Sequence, residues 1–320
     1  MWECARYLGF ASLIPSLLLS VSAAAEPWPQ RAVRVIIPGG AASAPDMAAR
    51  ILTERLTGRW KQPIVIENRP GADGLIGVAA FAATQDNHVL MFSPAAAVSV
   101  YPVVRERVPY DPIRDLIPIV SATDSFGSVS APASSNIASL AHLVSQARAQ
   151  PGKLNAYAVP GAFPYLLAGF LRSERLDMVR VSYREQNLAV QDLGEGRLDL
   201  MLGTLASILP VIQAGKVNVL AVTNGKRSPT LSQVQTVIEA GYPELEFEGF
   251  QGFFGSRGMS NELRDQIAAD VAVVTRDPEV VGRLTAIGQV ARATTPAEFS
   301  SMIERQRAKM EEIVERTGRF

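Results

Sequence analysis

Apolar positions in this chain come as short β-branched runs, spaced by longer stretches in which they recur every three or four residues. The first is position for position almost solid: Val33, Val35, Ile36 and Ile37. A run of that kind predicts a short strand buried on both faces, as in a parallel α/β sheet. Pro38-Gly39-Gly40 ends it, because proline has no ladder donor and glycine loosens the backbone. Ser43, Pro45 and Asp46 then open a helix that runs to about Leu56. Ser43 takes the capping position, Pro45 suits the first turn, and Asp46 follows the serine by three residues, as in a capping box. Strand, small-residue loop and helix N-terminus together aim backbone N–H groups past the sheet edge, where a small anion is favoured. A plain βα turn has the same pattern.

Pro63 to Glu67 repeats the strand signal and ends at Asn68-Arg69-Pro70-Gly71; a helix from about Ile76 to Thr84 leads to a third strand, His88 to Phe92. This alternation predicts a parallel, doubly wound sheet. Ser93 to Val100 and Val108 to Pro112 are short connecting segments. A long β-like stretch from Ile117 to Ala131, closed by Pro132 and two serines, is a candidate crossover into a second domain. There Ser139 caps a helix with Leu140, Leu143, Val144 and Ala147 on one face. Strands are expected at Asn155–Val159, Val179–Tyr183, Leu198–Leu202 and Val217–Val222, with helices at about Tyr165–Arg172 and Leu188–Gly194. The turn Pro160-Gly161-Ala162-Phe163-Pro164 mirrors the first loop, and two such loops facing each other make a cleft suited to a ligand.

Phe247 to Phe254, in an aromatic cluster, reads as a second crossover back to the first domain. Ser260 caps a helix with Leu263, Ile267, Val271 and Val274 on one face, and Thr295-Pro296-Ala297-Glu298 is a capping box for a last helix that buries Phe299, Met302, Ile303, Met310 and Ile313. The C-terminal helices are expected on the first domain. The pattern as a whole predicts a hinged two-lobed molecule: 26–123 and 248–320 in the first lobe, 124–247 in the second.

Composition narrows the setting. The chain has 320 residues, 48% of them apolar, enough for two cores. Lysine plus arginine and aspartate plus glutamate balance at 31 each, which argues against a nucleic-acid partner or a basic membrane patch. Residues 1–25 read as a signal peptide, with Arg6, an apolar stretch from Phe10 to Val21 and the cleavage-like Ala23-Ala24-Ala25. The only cysteine, Cys4, lies in that segment, so the mature chain is expected to start near Glu26 without thiols. Such a profile is common among bacterial periplasmic proteins.

Chemistry-bearing motifs are sparse. No nucleophile elbow, phosphate-binding P-loop or dinucleotide fingerprint is present, and Gly71, Gly74 and Gly77 fit none of them. His88 and His142 fall in different domains, and no H-x-x-x-H or cysteine pair invites zinc. Asp192 and Asp199 read better as a helix-surface residue and a strand entrance than as a carboxylate pair. A binding protein without cofactor, metal or catalytic residue is expected.

Several segments resemble the Bug (TctC-like) substrate-binding proteins of tripartite tricarboxylate transporters. Val65-Ile66-Glu67-Asn68-Arg69-Pro70-Gly71-Ala72, continuing through Gly74 to Ile76-Gly77, is similar to the family's VENRPGAGGxIG, with Asp73 where a glycine is usual. Tyr110-Asp111-Pro112 with Asp115, Ala149 to Asn155, Ala214-Gly215-Lys216 and Thr236 to Gly241 match as well, the last with Gln235 where a proline is usual. The resemblance implies a type II periplasmic-binding-protein fold: two doubly wound α/β lobes joined by two crossover strands, the ligand cleft between them. It also implies a small carboxylate gripped by one loop from each lobe, and membrane subunits of a transporter as partners of a monomer; a ligand-sensing partner of a membrane signalling protein is the alternative role, and a degenerate paralogue a further one.

The departures fall in the two loops. Pro38 to Asp46 keeps only the ends of the family's PFPAGGGTD, Pro160 to Leu166 loses both glycines, the hydroxyl and the histidine of GxGTxxH, and Val181-Ser182-Tyr183-Arg184-Glu185 keeps the tyrosine and arginine of VPYRG. The expected ligand-binding residues are Ser43, Ala44 and Asp46 in the first lobe and Gly161, Ala162 and Phe163 in the second. Ser93 and Tyr183 would add hydroxyls, and Arg184 a positive charge unless it pairs with Glu185 or Glu195. The ring faces of Phe163, Tyr165 and Tyr183 predict that aromatic or short monocarboxylic acids bind better than citrate.

Overall fold

The computed structural model describes residues 28–319 together with Trp2; the rest of the stretch read as a signal peptide lies outside them. The first sheet begins with β1 (Val33–Ile37), α1 (Ala44–Trp60), β2 (Ile64–Asn68), α2 (Leu75–Ala82) and β3 (Val89–Pro94). The apolar run of β1 is buried on both sides, with helices on each face of the sheet. Two short helices, α3 (Ala96–Ser99) and α4 (Tyr101–Val104), precede β4 (Leu116–Ser125). Phe126 alone separates β4 from β5 (Gly127–Pro132), so the stretch expected to cross between domains is two strands in two sheets.

The second sheet follows with α5 (Leu140–Ala149), β6 (Asn155–Ala158), α6 (Phe163–Ser173), β7 (Val179–Arg180), α7 (Gln186–Gly194), β8 (Leu200–Thr204), α8 (Leu205–Gln213) and β9 (Val217–Val222). The chain then returns through β10 (Gly249–Ser256), α9 (Asn261–Val274), α10 (Pro278–Ala286), β11 (Gln289–Ala291) and α11 (Pro296–Thr317). Strand order is β11-β4-β10-β3-β1-β2 in one sheet and β7-β6-β8-β5-β9 in the other. β1, β2 and β3 are mutually parallel, as are β6, β7 and β8. β10 runs antiparallel to β3, and β5 antiparallel to β8. That follows from the crossing: each strand enters its sheet at the end where the parallel strands finish, so it must run against them. Both crossovers thus sit at the carboxyl ends of the parallel strands, where open α/β sheets hold ligands.

The crossovers are stitched together. The Thr223 amide donates to the Gly127 carbonyl at 3.0 Å, the Phe247 amide to the Thr223 carbonyl at 2.9 Å, and Asn224 Nδ2 to the Ser125 carbonyl at 3.2 Å. Beside them Asp124 is paired with Lys226 at 3.0 Å and Arg292 at 2.6 Å.

Several elements differ from the sequence expectation, the unexpected short strand β11 among them. β7 covers only Val179–Arg180, because it is an exposed edge strand and the chain then turns away. α8, with Pro210 inside it, and α10, capped by Asp277, had no sequence expectation. Of the C-terminal helices, α9 packs on the first sheet, whereas α11 spans the molecule. Its Phe299, Met302 and Ile303 pack with Phe250 and Phe254, and its Met310 and Ile313 join the second-sheet core around Phe170.

Candidate functional site

The β1–α1 loop is shaped by Asp46 and Asn68. Ser43 is the N-cap of α1 with extended backbone, yet its side chain makes no cap bond. Asp46 makes the loop's bonds instead. Its Oδ2 accepts from the Ala42 amide at 2.8 Å and from Arg50 Nε at 3.0 Å, and its Oδ1 from Asn68 Nδ2 at 3.0 Å. Asn68 Nδ2 also donates to the Gly39 carbonyl at 3.2 Å, tying the end of β2 to the loop. Burial alone would raise the Asp46 carboxyl, but the hydrogen bonds from Arg50, Asn68 and Ala42 outweigh it and hold its pKa below the ordinary carboxylate value. With its charge met by Arg50, Asp46 positions the loop. Ser43 Oγ is buried and has no hydrogen-bond partner among the described residues.

The glycine triad that fits no phosphate motif has a packing reason. A Cβ on Gly74 would stand 2.6 Å from the Pro38 carbonyl oxygen, and one on Gly77 2.7 Å from Pro38 Cα. Without side chains there, the start of α2 lies directly on the loop that ends β1. Ser93, at the end of β3, is buried and donates its hydroxyl to the Pro94 carbonyl at 2.9 Å.

On the facing sheet, Gly161 has a φ of 119° and Ala162 is the N-cap of α6. Phe163 opens that helix, and its ring lies on the crossover: a Cβ on Gly127 would come within 2.8 Å of it. Tyr183 donates its hydroxyl to Asp192 Oδ2 at 2.9 Å and meets Tyr157 edge-on, ring centroids 5.1 Å apart. Burial first, then the bond to Asp192, pushes the Tyr183 hydroxyl up to about 12. Arg184 is exposed, and Glu195 is paired with Arg197.

A cavity of about 640 Å³ opens between the two sheets, within the range of roughly 300–1,000 Å³ usual for small-molecule sites. Tyr101, Val104, Arg105 and Asp73 line it from the first-sheet side; Tyr157, Tyr165, Tyr183 and Arg180 are among those facing them. Arg105 is ion-paired with Asp73 and its guanidinium lies over the Tyr101 ring, 5.7 Å from the centroid. Burial pushes the Tyr101 hydroxyl up to about 12, with Asp73 adding to the effect and Arg105 opposing it. Tyr157 is likewise raised by burial and then by Asp73, so the field of Asp73 reaches both walls.

Of the residues expected from sequence, the cavity lining includes Gly161 and Tyr183. Ser43, Ala44, Asp46, Ser93, Ala162, Phe163 and Arg184 are not in the lining: Ser43, Ala44 and Asp46 belong to the N-terminus of α1, Ser93 to the end of β3, and Ala162 and Phe163 to the start of α6. Tyr101, Arg105, Tyr157 and Arg180 had no sequence signal of their own. Asp73 had one, as an acid in a glycine position of a recognised motif.

The family model described as tripartite tricarboxylate transporter family receptor matches residues 48–319. A UPF0065 protein from the tcbD-tcbE intergenic region of Pseudomonas sp. (strain P51) is 29% identical over 294 residues, covering 90% of this chain and 86% of its own. A solved periplasmic transporter structure is 28% identical, with a TM-score of 0.81 over 91% of this chain and 99% of the other. The structure of R. palustris Rpa4515 with adipate is 27% identical, with a TM-score of 0.83 and the same coverage. These neighbours share the two-sheet α/β fold of periplasmic binding proteins. The family is one of substrate-binding receptors, and this chain belongs to it.

Proposed function

We propose that the protein works in the periplasm, holding one small organic carboxylate in the cleft between its sheets and delivering it to the membrane subunits of a tripartite transporter, without turning it over. The cleft carries this reading: a ligand-sized cavity with walls from both sheets, at the carboxyl ends of the parallel strands. Membership of a receptor family supports it, as does the adipate held by Rpa4515.

In this reading the lobes are 26–123 with 248–320, and 124–247. Ser43 Oγ, buried and unpartnered, and the Ala44 amide at the start of α1 lie outside the open cavity's lining and would meet the carboxylate from the first lobe only once the cleft closes on it. Asp46 and Ser93 hold that side in shape. Gly161 and Ala162 face it from the second lobe, Phe163 backs them against Gly127, and Arg184 guards the exposed rim. The rings of Tyr101, Tyr157, Tyr165 and Tyr183 favour an acid with one carboxylate and an aromatic or apolar body.

Native mass spectrometry of protein purified without denaturation tests this. The expected result is one organic acid per chain, which raises the unfolding stability of stripped protein by about 2.7 kcal/mol at 100 times its dissociation constant. Turnover of the acid, or no organic acid that stabilises the protein, contradicts the reading.

A further inference from the structure

Tyr183 lines the cleft from a segment with no regular structure of its own, since β7 ends at Arg180 and α7 begins at Gln186. We propose that Asp192, which lies outside the cleft lining, is a positioning residue for ligand binding: it holds the Tyr183 hydroxyl so that the ring, and not a hydrogen-bond donor, forms that part of the wall. The inference rests on the solute-binding reading and deepens it by naming the group that sets one wall of the site.

Four observations carry it. The Tyr183 hydroxyl donates to Asp192 Oδ2 at 2.9 Å, and Asp192 is not among the residues lining the cavity. A phenol has one proton to give, so this donor is spent on a group outside the space a ligand occupies. Asp192 is also a fixed anchor: it lies on α7, which buries Ala189 and Leu193 completely, and its own carbonyl accepts from the Arg197 amide at 2.8 Å. Its two carboxylate oxygens divide their work, Oδ1 accepting from Arg197 Nε at 2.9 Å and Oδ2 from Tyr183. Finally, Tyr157, a buried cleft residue on β6, meets the Tyr183 ring edge-on with centroids 5.1 Å apart. The Tyr183 ring is thus held at its tip by Asp192 and along its body by Tyr157.

A ring ordered in advance spares the ligand the cost of ordering it, worth about threefold to tenfold in affinity for one side chain. The orientation also selects the ligand. An apolar or aromatic body packs on the ring, whereas a hydroxylated body finds no donor from Tyr183. If Asp192 served only to brace Arg197 at the end of α7, its loss would lower stability and leave affinity unchanged.

The test is isothermal titration with benzoate, an aromatic monocarboxylate, and with adipate, alongside urea unfolding. The proteins are wild type, Asp192→Ala, Asp192→Asn, Tyr183→Phe and the double variant of Asp192→Ala with Tyr183→Phe, compared on whichever acid wild type binds more tightly. Asp192→Ala and Tyr183→Phe should each weaken binding by about threefold or more. The double variant should stay within threefold of Asp192→Ala, because both changes break the same hydrogen bond. Asp192→Asn keeps an oxygen that accepts from the hydroxyl and should lie nearer to wild type than to Asp192→Ala. Three results overturn the inference while leaving the binding role standing. They are an affinity of Asp192→Ala or Tyr183→Phe within threefold of wild type, whatever the urea midpoint, a double variant weaker by a further threefold or more, and an Asp192→Asn no better than Asp192→Ala. If wild type binds neither acid, the solute-binding reading falls and takes the inference with it.

Discussion

Replacing Gly74 with alanine tests whether the glycine turn shapes the first-lobe loop. Gly74 has a φ of 93°, where a Cβ costs about 1–2 kcal/mol. The new Cβ would also stand 2.6 Å from the Pro38 carbonyl oxygen. That neighbour is backbone at the end of β1 and cannot swing aside, so overpacking adds roughly 1–3 kcal/mol. Together the expected loss is about 2–5 kcal/mol, large against the roughly 5–15 kcal/mol that folded domains possess. Equilibrium urea unfolding of wild type and Gly74→Ala should show a lower midpoint with an unchanged slope. Because the clash is aimed at Pro38, calorimetric affinity for benzoate should fall as well. A loss below about 1 kcal/mol, the size of an ordinary point mutation, with benzoate affinity intact would refute the reasoning.

Acid sensitivity follows from Asp46. Its pKa is below its ordinary value of 3.8 in the fold, so the stability it contributes is present above that value and lost as pH falls through the lower folded pKa. Urea midpoints at pH 7, 4 and 3 should therefore drop less steeply on the acid side for Asp46→Asn than for wild type; an identical acid limb would contradict this. Phe163→Thr should lower unfolding stability by about 2 kcal/mol, less than a fully buried ring loses, because the ring is half-buried against Gly127. Unchanged stability with a selective loss of benzoate affinity would show instead that the ring faces the ligand.

Much of the framework is legible because each signal is local. The β1 run, the Ser139 and Ser260 caps and the Thr295–Glu298 capping box all appear where hydrophobic period and capping chemistry place them. α8 escaped because Pro210 interrupts the pattern of a helix. The destination of α11 escaped for another reason: one apolar stripe serves two cores, and periodicity states that a face is buried without stating against what. Loop residues behave similarly. Ser43 and Asp46 were legible as a capping pair, but their division of labour, with Asp46 making the bonds and Ser43 left unpartnered, depends on Asn68 arriving from the next strand. The cavity walls were the least legible part. Arg105 and Tyr157 are far apart in sequence and meet across the cleft only through the fold, so no spacing along the chain announces them.

The central claim is that an organic acid binds between the two sheets, and a variant that fills the cleft addresses it most directly. Ser182 lines the cavity and is exposed, so Ser182→Trp places a large ring in the space at little expected cost to stability, within about 0.5 kcal/mol. Stripped wild type titrated with benzoate should bind one molecule per chain. Ser182→Trp, with an unchanged urea midpoint, should bind it at least tenfold more weakly, a difference of about 1.4 kcal/mol. Equal affinity in the two proteins would place the ligand elsewhere and contradict the account.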